Sequence, residues 1–169
     1  NLLMQMGITD QNKRLVLITA HRRENFGKPL EDICSAIRQL AVEHTDDMHI
    51  LYPVHLNPNV QEPVYRLLSG IPNITLTDPL DYLPLVHIMK HADMILTDSG
   101  GIQEEAAALK IPTLVLREVT ERPEGVETGN VRLVGSDPEK IYSQVKKLLS
   151  DPEDWERMSK AMNPYGDGK

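Results

Sequence analysis

The chain has 169 residues and a single cysteine, Cys34. One thiol excludes an internal disulfide framework and a cysteine-rich zinc site. It also fits a reducing, cytoplasmic setting. No apolar run approaches the length of a membrane-spanning helix. The first residues, Asn1-Leu2-Leu3-Met4-Gln5-Met6, carry neither a basic leader nor a cleavage-site pattern, so they do not read as a signal peptide. A starting methionine is missing too, and the expectation is a chain cut from something longer. Positive charge is in deficit: the formal net charge is −7, which argues against bulk nucleic-acid binding and leaves room for a local basic pocket. There is no internal repeat and no low-complexity segment.

What remains suits one domain with a real core; the apolar content, 40%, is ordinary for a globular protein. Six short apolar runs read as strands: 15–19, 50–54, 74–77, 94–97, 113–116 and 131–134. The first, Leu15-Val16-Leu17-Ile18-Thr19, is continuously apolar with a β-branched bias, as in a parallel sheet covered on both faces. Helical patterns lie between them. Leu30, Ile33, Ile37, Leu40 and Ala41 share one face after Pro29; Val60, Val64, Leu67 and Leu68 share another, ended by Gly70. Asp81 stands where it would cap a helix from Tyr82 to His91, and Asp137-Pro138 opens one through about Leu149. A last helix is expected from about Asp154 to Met162, before a breaker-rich tail at 163–169. This alternation predicts an α/β, Rossmann-like doubly wound parallel sheet of about six strands.

In such sheets ligands bind beyond the carboxyl ends of the strands. The most polar loops, at 20–27, 98–101 and 117–130, all follow strands and so converge on one sheet edge. The organising stretch is Thr97-Asp98-Ser99-Gly100-Gly101-Ile102-Gln103-Glu104-Glu105, where a strand turns into a helix. A helix start exposes unpaired N–H groups and partial positive charge, and glycines let a phosphate approach them. Ser99 adds a hydroxyl, and Glu105 lies about one turn further on, where it would meet neutral hydroxyls. A phosphate at the turn and a sugar at the carboxylate describe a nucleotide-sugar site. The blander alternative is an N-capping Ser99, a tight glycine turn and glutamates that complement the helix dipole.

His21 stands just past the first strand, where it would bond a phosphate or protonate a leaving oxygen; the alternative is a loop histidine bonded to a backbone carbonyl. Arg22 and Arg23 are adjacent, so at most one is expected to face the same ligand, and Glu24 is a candidate partner for either. In the long charged connection after the fifth strand, Arg122 offers the planar fork of donors a diphosphate needs, or else joins a solvated set of ion pairs. His55 is either a second polar ligand or structural. His87 and His91 are four residues apart, but nothing at sensible spacing completes a metal site, so they read as surface residues and no metal is expected.

Together, His21-Arg22-Arg23-Glu24-Asn25, Tyr52-Pro53-Val54-His55, the 97–105 stretch and Thr120-Glu121-Arg122-Pro123-Glu124-Gly125 resemble the non-hydrolysing UDP-N-acetylglucosamine 2-epimerases, over the C-terminal half of that family. The resemblance covers almost the whole chain, residues 1–169, including the Asn163-Pro164-Tyr165-Gly166-Asp167-Gly168 tail. It implies one half of a two-domain, GT-B type enzyme that interconverts UDP-GlcNAc and UDP-ManNAc. In that reaction UDP is eliminated to give 2-acetamidoglucal and then added back with the opposite configuration at C2, without cofactor or metal. The roles implied are His21 near the diphosphate and catalytic, Ser99, Gly100 and Gly101 on the phosphates, Glu105 on the ribose, and Arg122 in the UDP pocket. Arg22 and His55 match residues near a second, activating UDP-GlcNAc of bacterial members. The resemblance also implies a homodimer of full-length chains that supplies cell-envelope polysaccharide synthesis, with neither nucleic acid nor membrane as partner.

Two departures stand out. Leu85 replaces an aromatic residue that often lies against uracil, and the N-terminal half with the family's acidic proton-transfer residues is missing. The expectation is a folded UDP-binding domain, inactive alone. The rival readings are the nucleotide-binding half of a GT-B glycosyltransferase, a hydrolysing epimerase that releases UDP and free ManNAc, and a non-enzymatic nucleotide-sugar sensor.

Overall fold

The computed structural model describes residue 8 and residues 13–118 and 131–160. Six parallel strands form one sheet in the order β3-β2-β1-β4-β5-β6. They are β1 (Arg14–Thr19), β2 (Met48–Pro53), β3 (Ile74–Thr77), β4 (Met94–Thr97), β5 (Thr113–Val115) and β6 (Val131–Leu133). The helices are α1 (Lys28–Glu43), α2 (Pro58–Leu68), α3 (Tyr82–His91), α4 (Gly100–Leu109), α5 (Pro138–Ser150) and α6 (Pro152–Ser159). No helix among the described residues is long and apolar enough to cross a membrane.

The two-residue period of a strand sorts the apolar run of β1 onto both faces. Val16 and Ile18 join a core with Ile33 and Ile37 of α1, Val64 of α2, Val145 of α5 and Met158 of α6. Leu15 and Leu17 face the other way, onto Ile88 and Met89 of α3 and Ala106 of α4. A strand buried on both sides has no polar alternation to show, which is why a continuous apolar run marks it. Leu17 is completely buried, and burying a side chain of that size contributes about 1.5–3 kcal/mol.

The expected elements are all present, with shifted ends. Strand β2 begins at Met48, two residues before the expected start, because His49 is carried as a buried polar residue with its Nε2 2.7 Å from Thr75 Oγ1. Helix α6 begins at Pro152 and ends at Ser159, since Asp151 accepts from the N–H groups of Glu153 and Asp154 and starts the helix early. Asp81 occupies the N-cap position of α3, yet its side chain makes no capping hydrogen bond. Asp137 caps α5 as expected, through the N–H of Glu139 at 3.0 Å. The 163–169 tail lies outside the described residues.

Candidate functional site

Strands β1 and β4 are neighbours, with Thr19 in register with Thr97 and their hydroxyls 2.7 Å apart. The helix that follows β1 packs on one face of the sheet and the helix that follows β4 on the other. Their two loops therefore part at the strand ends, where the strand order reverses direction, and a crevice opens between them. A cavity of about 240 Å³ lies there, lined by Thr19, His21, His55, Leu85, Ser99 and Ile102 together with Pro53, Pro79 and Leu80. The lining combines apolar side chains with two imidazoles and two hydroxyls.

Ser99 and Ile102 line the cavity from the start of α4. Ser99 is its N-cap, and its Oγ accepts from Ile102 N–H at 3.4 Å, a long bond. Thr97 Oγ1 fixes Ser99 from behind by accepting its N–H at 3.0 Å. The helical ladder begins with Gln103 N–H on the Ser99 carbonyl. The N–H groups of Gly100 and Gly101 precede that first bond, so their direction is outward from the helix end. A Cβ at Gly101 would meet only Ser99 Oγ, at 3.9 Å. Packing does not demand glycine at that exposed position, which leaves open the space an anion would occupy. Ser99 is thus a cap and a crevice residue at once; the two readings of this stretch do not exclude each other.

Glu105 lies one turn along and accepts from the Tyr82 hydroxyl at 2.7 Å through Oε1. That bond, and the carboxylate's charge, hold the Tyr82 phenol above its ordinary pKa. Tyr82 is exposed at the start of α3. The sequence pattern did not single it out, since its partner lies 23 residues away.

His21 is exposed, and among the described residues no backbone carbonyl accepts from its ring. Its ring instead lies 5.4 Å from that of His55, centroid to centroid, at an angle of 32°. His55 is further fixed by accepting the Asn57 N–H at Nδ1, 3.1 Å away. Arg22 directs its Nε to Glu24 at 3.1 Å, and Glu24 also meets Arg117 Nε at 2.6 Å. The ion pairing expected within the 21–25 stretch therefore extends to the connection after β5. Arg122 falls within 119–130, outside the described residues. His87 and His91 are exposed with rings 4.8 Å apart, and among the described residues no group of three metal-ligating side chains occurs.

Asp98 and Asn25 are the residues that sequence reasoning passed over. Both are buried, and the Asn25 amide donates to Asp98 at 3.0 Å and to the Leu116 carbonyl at 3.1 Å. From the opposite side Tyr52, fully buried, donates its hydroxyl to the Ala20 carbonyl at 2.8 Å. Asp98 and Asn25 both stand among polar neighbours in loops that follow strands, so nothing in the sequence marked them as buried.

The family model described as UDP-N-acetylglucosamine 2-epimerase matches residues 2–169. A curated UDP-N-acetylglucosamine 2-epimerase from Yersinia pestis is 54% identical over 168 residues, covering 99% of this chain and 44% of the relative. The one from Escherichia coli strain K12 is 54% identical over 160 residues, covering 95% and 42%. This chain thus spans less than half the length of the curated relatives it matches. Among solved structures, UDP-GlcNAc 2-epimerase from Neisseria meningitidis bound to UDP-GlcNAc superposes with a TM-score of 0.94 at 44% identity, over 99% of this chain and 45% of the other. The Methanocaldococcus jannaschii enzyme in complex with UDP-GlcNAc and UDP gives 0.80 at 32% identity, over 100% and 45%. The wall teichoic acid polymerase TagF, at 15% identity and 0.61, shares the fold alone. A match along nearly every residue, motifs and sheet together, settles the kinship: the chain belongs to the UDP-N-acetylglucosamine 2-epimerase family.

Proposed function

We propose that this chain is the UDP-binding half of a non-hydrolysing UDP-GlcNAc 2-epimerase, with proton transfer at C2 supplied by an N-terminal domain outside it. The observation that carries the proposal is that His21 and Ser99, the cap of the glycine-bearing helix α4, line one crevice between the ends of β1 and β4. The diphosphate sits on the N–H groups of Gly100 and Gly101, where the helix dipole favours negative charge. Ser99 donates its hydroxyl hydrogen, which the long bond from Ile102 leaves unused. Glu105 accepts from the ribose hydroxyls, its carboxylate oriented by Tyr82. Arg122 adds a cation to the same pocket.

Elimination removes the C2 proton to a base of the other domain, breaks the C1–O bond and leaves 2-acetamidoglucal and UDP. The new negative charge appears on the oxygen that bridged sugar and phosphate. His21 meets it there, as a proton donor or a hydrogen bond, and an interaction that grows only as the bond breaks raises turnover. Re-addition of UDP, with a proton returned to the opposite face of C2, gives UDP-ManNAc. Arg22 and His55 are assigned to the neighbourhood of a second, activating UDP-GlcNAc. Full-length chains act as a homodimer in the cytoplasm, feeding cell-envelope polysaccharide synthesis.

The test is an assay of the full-length protein with UDP-GlcNAc, resolved by chromatography. UDP-ManNAc without net release of UDP is the expected result. Free ManNAc plus UDP would make it a hydrolysing enzyme, and turnover only with a sugar acceptor would make it a glycosyltransferase. The isolated domain should bind UDP more weakly than the whole enzyme and form no UDP-ManNAc.

A further inference from the structure

Asp98 is wholly buried between Thr97, the end of β4, and Ser99, the cap of α4. Its backbone N–H is held by the Thr19 carbonyl at 3.2 Å. Its carboxylate turns back to the loop that follows β1. Oδ2 accepts the His21 N–H at 3.0 Å, the Arg22 N–H at 2.9 Å and the Asn25 side-chain amide at 3.0 Å; Oδ1 lies 3.2 Å from the His21 nitrogen. One residue thus joins the two elements that the proposed reaction needs in register. Its main chain leads into the phosphate-binding helix start, and its side chain grips the backbone of the histidine loop.

A carboxylate at this place is costly. It is removed from water, and its negative charge lies in the residue next to Ser99, where a diphosphate would bind. What it supplies in return is geometry, since a carboxylate accepts about four hydrogen bonds and offers no donor. With the amides of His21 and Arg22 committed to Asp98, the imidazole of His21 is the part of that residue left to line the cavity. The Asn25 amide extends the same tie to the end of β5, and Tyr52 holds Ala20 from the β2 side.

We propose that Asp98 is a positioning residue for the reaction, fixing His21 relative to the start of α4 without touching the substrate. The inference rests on the proposed epimerase function. A displaced donor to the leaving oxygen forfeits rate far more than affinity, and a shift of 1 Å is enough to cost about 100-fold.

The experiment is steady-state kinetics on the full-length enzyme with Asp98→Asn and Asp98→Ala, alongside calorimetric UDP binding and thermal melts. Asparagine keeps one accepting oxygen and turns an NH₂ toward the His21 N–H, so it is a partial rescue of the alanine variant. The expected result is a fall in kcat of about 10-fold for asparagine and about 100-fold for alanine, with KM and UDP affinity within about threefold of wild type. Unchanged kcat in both variants overturns the role. So does a loss of UDP affinity as large as the loss of kcat, which would mean that the crevice as a whole had collapsed. Should the Asp98 variants fail to fold, Asn25→Ala removes one donor from the same oxygen: lowered kcat with UDP affinity kept supports the role, and unchanged kcat overturns it. A wild-type enzyme that makes no UDP-ManNAc overturns the proposed function and this role with it, whereas an active wild type with unaltered variants overturns this role alone.

Discussion

Asp98 and Asp154 are both wholly buried, and the protein holds them in opposite ways. Asp154, in the first turn of α6, is gripped by the guanidinium of Arg132 through two bonds, 2.6 and 2.8 Å long. Those bonds keep its carboxyl below the usual carboxylate range. The pair joins β6, at the far edge of the sheet, to the last described helix, and neither residue lines the crevice. Asp98 is met by amides of the histidine loop. A buried carboxylate facing a guanidinium anchors a corner of the fold. One facing amides shapes a loop and sends that loop's side chains elsewhere, so the kind of donor separates the structural aspartate from the one at the site.

The largest effect should come from the structural member. Arg132→Leu leaves Asp154 buried beside no guanidinium from β6, and denaturant unfolding should show a loss of about 3 kcal/mol. UDP affinity of the folded protein should not move; if stability holds instead, the contrast between the two aspartates fails. Acid sharpens the same point. Because the folded carboxyl of Asp154 titrates below its unfolded value of about 3.9, its contribution is complete above that pH and disappears as the pH falls through the lower folded value. Unfolding curves of Arg132→Leu between about pH 5 and pH 2 should therefore fall less steeply toward acid than those of wild type.

On the crevice side, His21→Asn should lower kcat of the full-length enzyme by about 100-fold or more, with a much smaller change in KM. Steady-state kinetics that showed a raised KM at constant kcat would make His21 an ordinary binding residue. Next come Ser99→Ala and Glu105→Ala, each expected to weaken UDP binding by about 1–3 kcal/mol in calorimetry. Unchanged affinity in both, with the fold intact, would move the site away from α4. The smallest change belongs to Tyr82→Phe, which frees Glu105 from one neutral donor and should alter UDP affinity by about 1 kcal/mol or less.

The sheet was legible because its central strands are buried on two faces and so read as apolar runs; β1 shows this most plainly. The edge strands β3 and β6 are only half-buried and were marked by their place in the alternation. The site's edge was legible for a related reason. Polar loops that follow parallel strands have to meet at one end, and His21 and Ser99 do. Asp98 was not legible as a clamp. Its donors lie 73–77 residues earlier in the chain, and a carboxylate at a strand end looks the same whether it faces water or an amide. The partnership of Glu24 with Arg117 was hidden likewise by distance along the chain. Asp81 shows the converse: the right residue stands at the right position, and the side chain leaves its capping bond unmade.

Gly101 carries a last consequence, for how such a chain changes under selection. Alanine at this helical position meets nothing closer than 3.9 Å within the protein and would stiffen the unfolded chain, a gain of about 0.5–1 kcal/mol. A library screened for heat resistance alone should therefore accumulate alanine at 101, while one screened for use of a phosphorylated ligand should discard it. The two screens would thus separate at one atom, a methyl group that the fold tolerates and a bound phosphate would not.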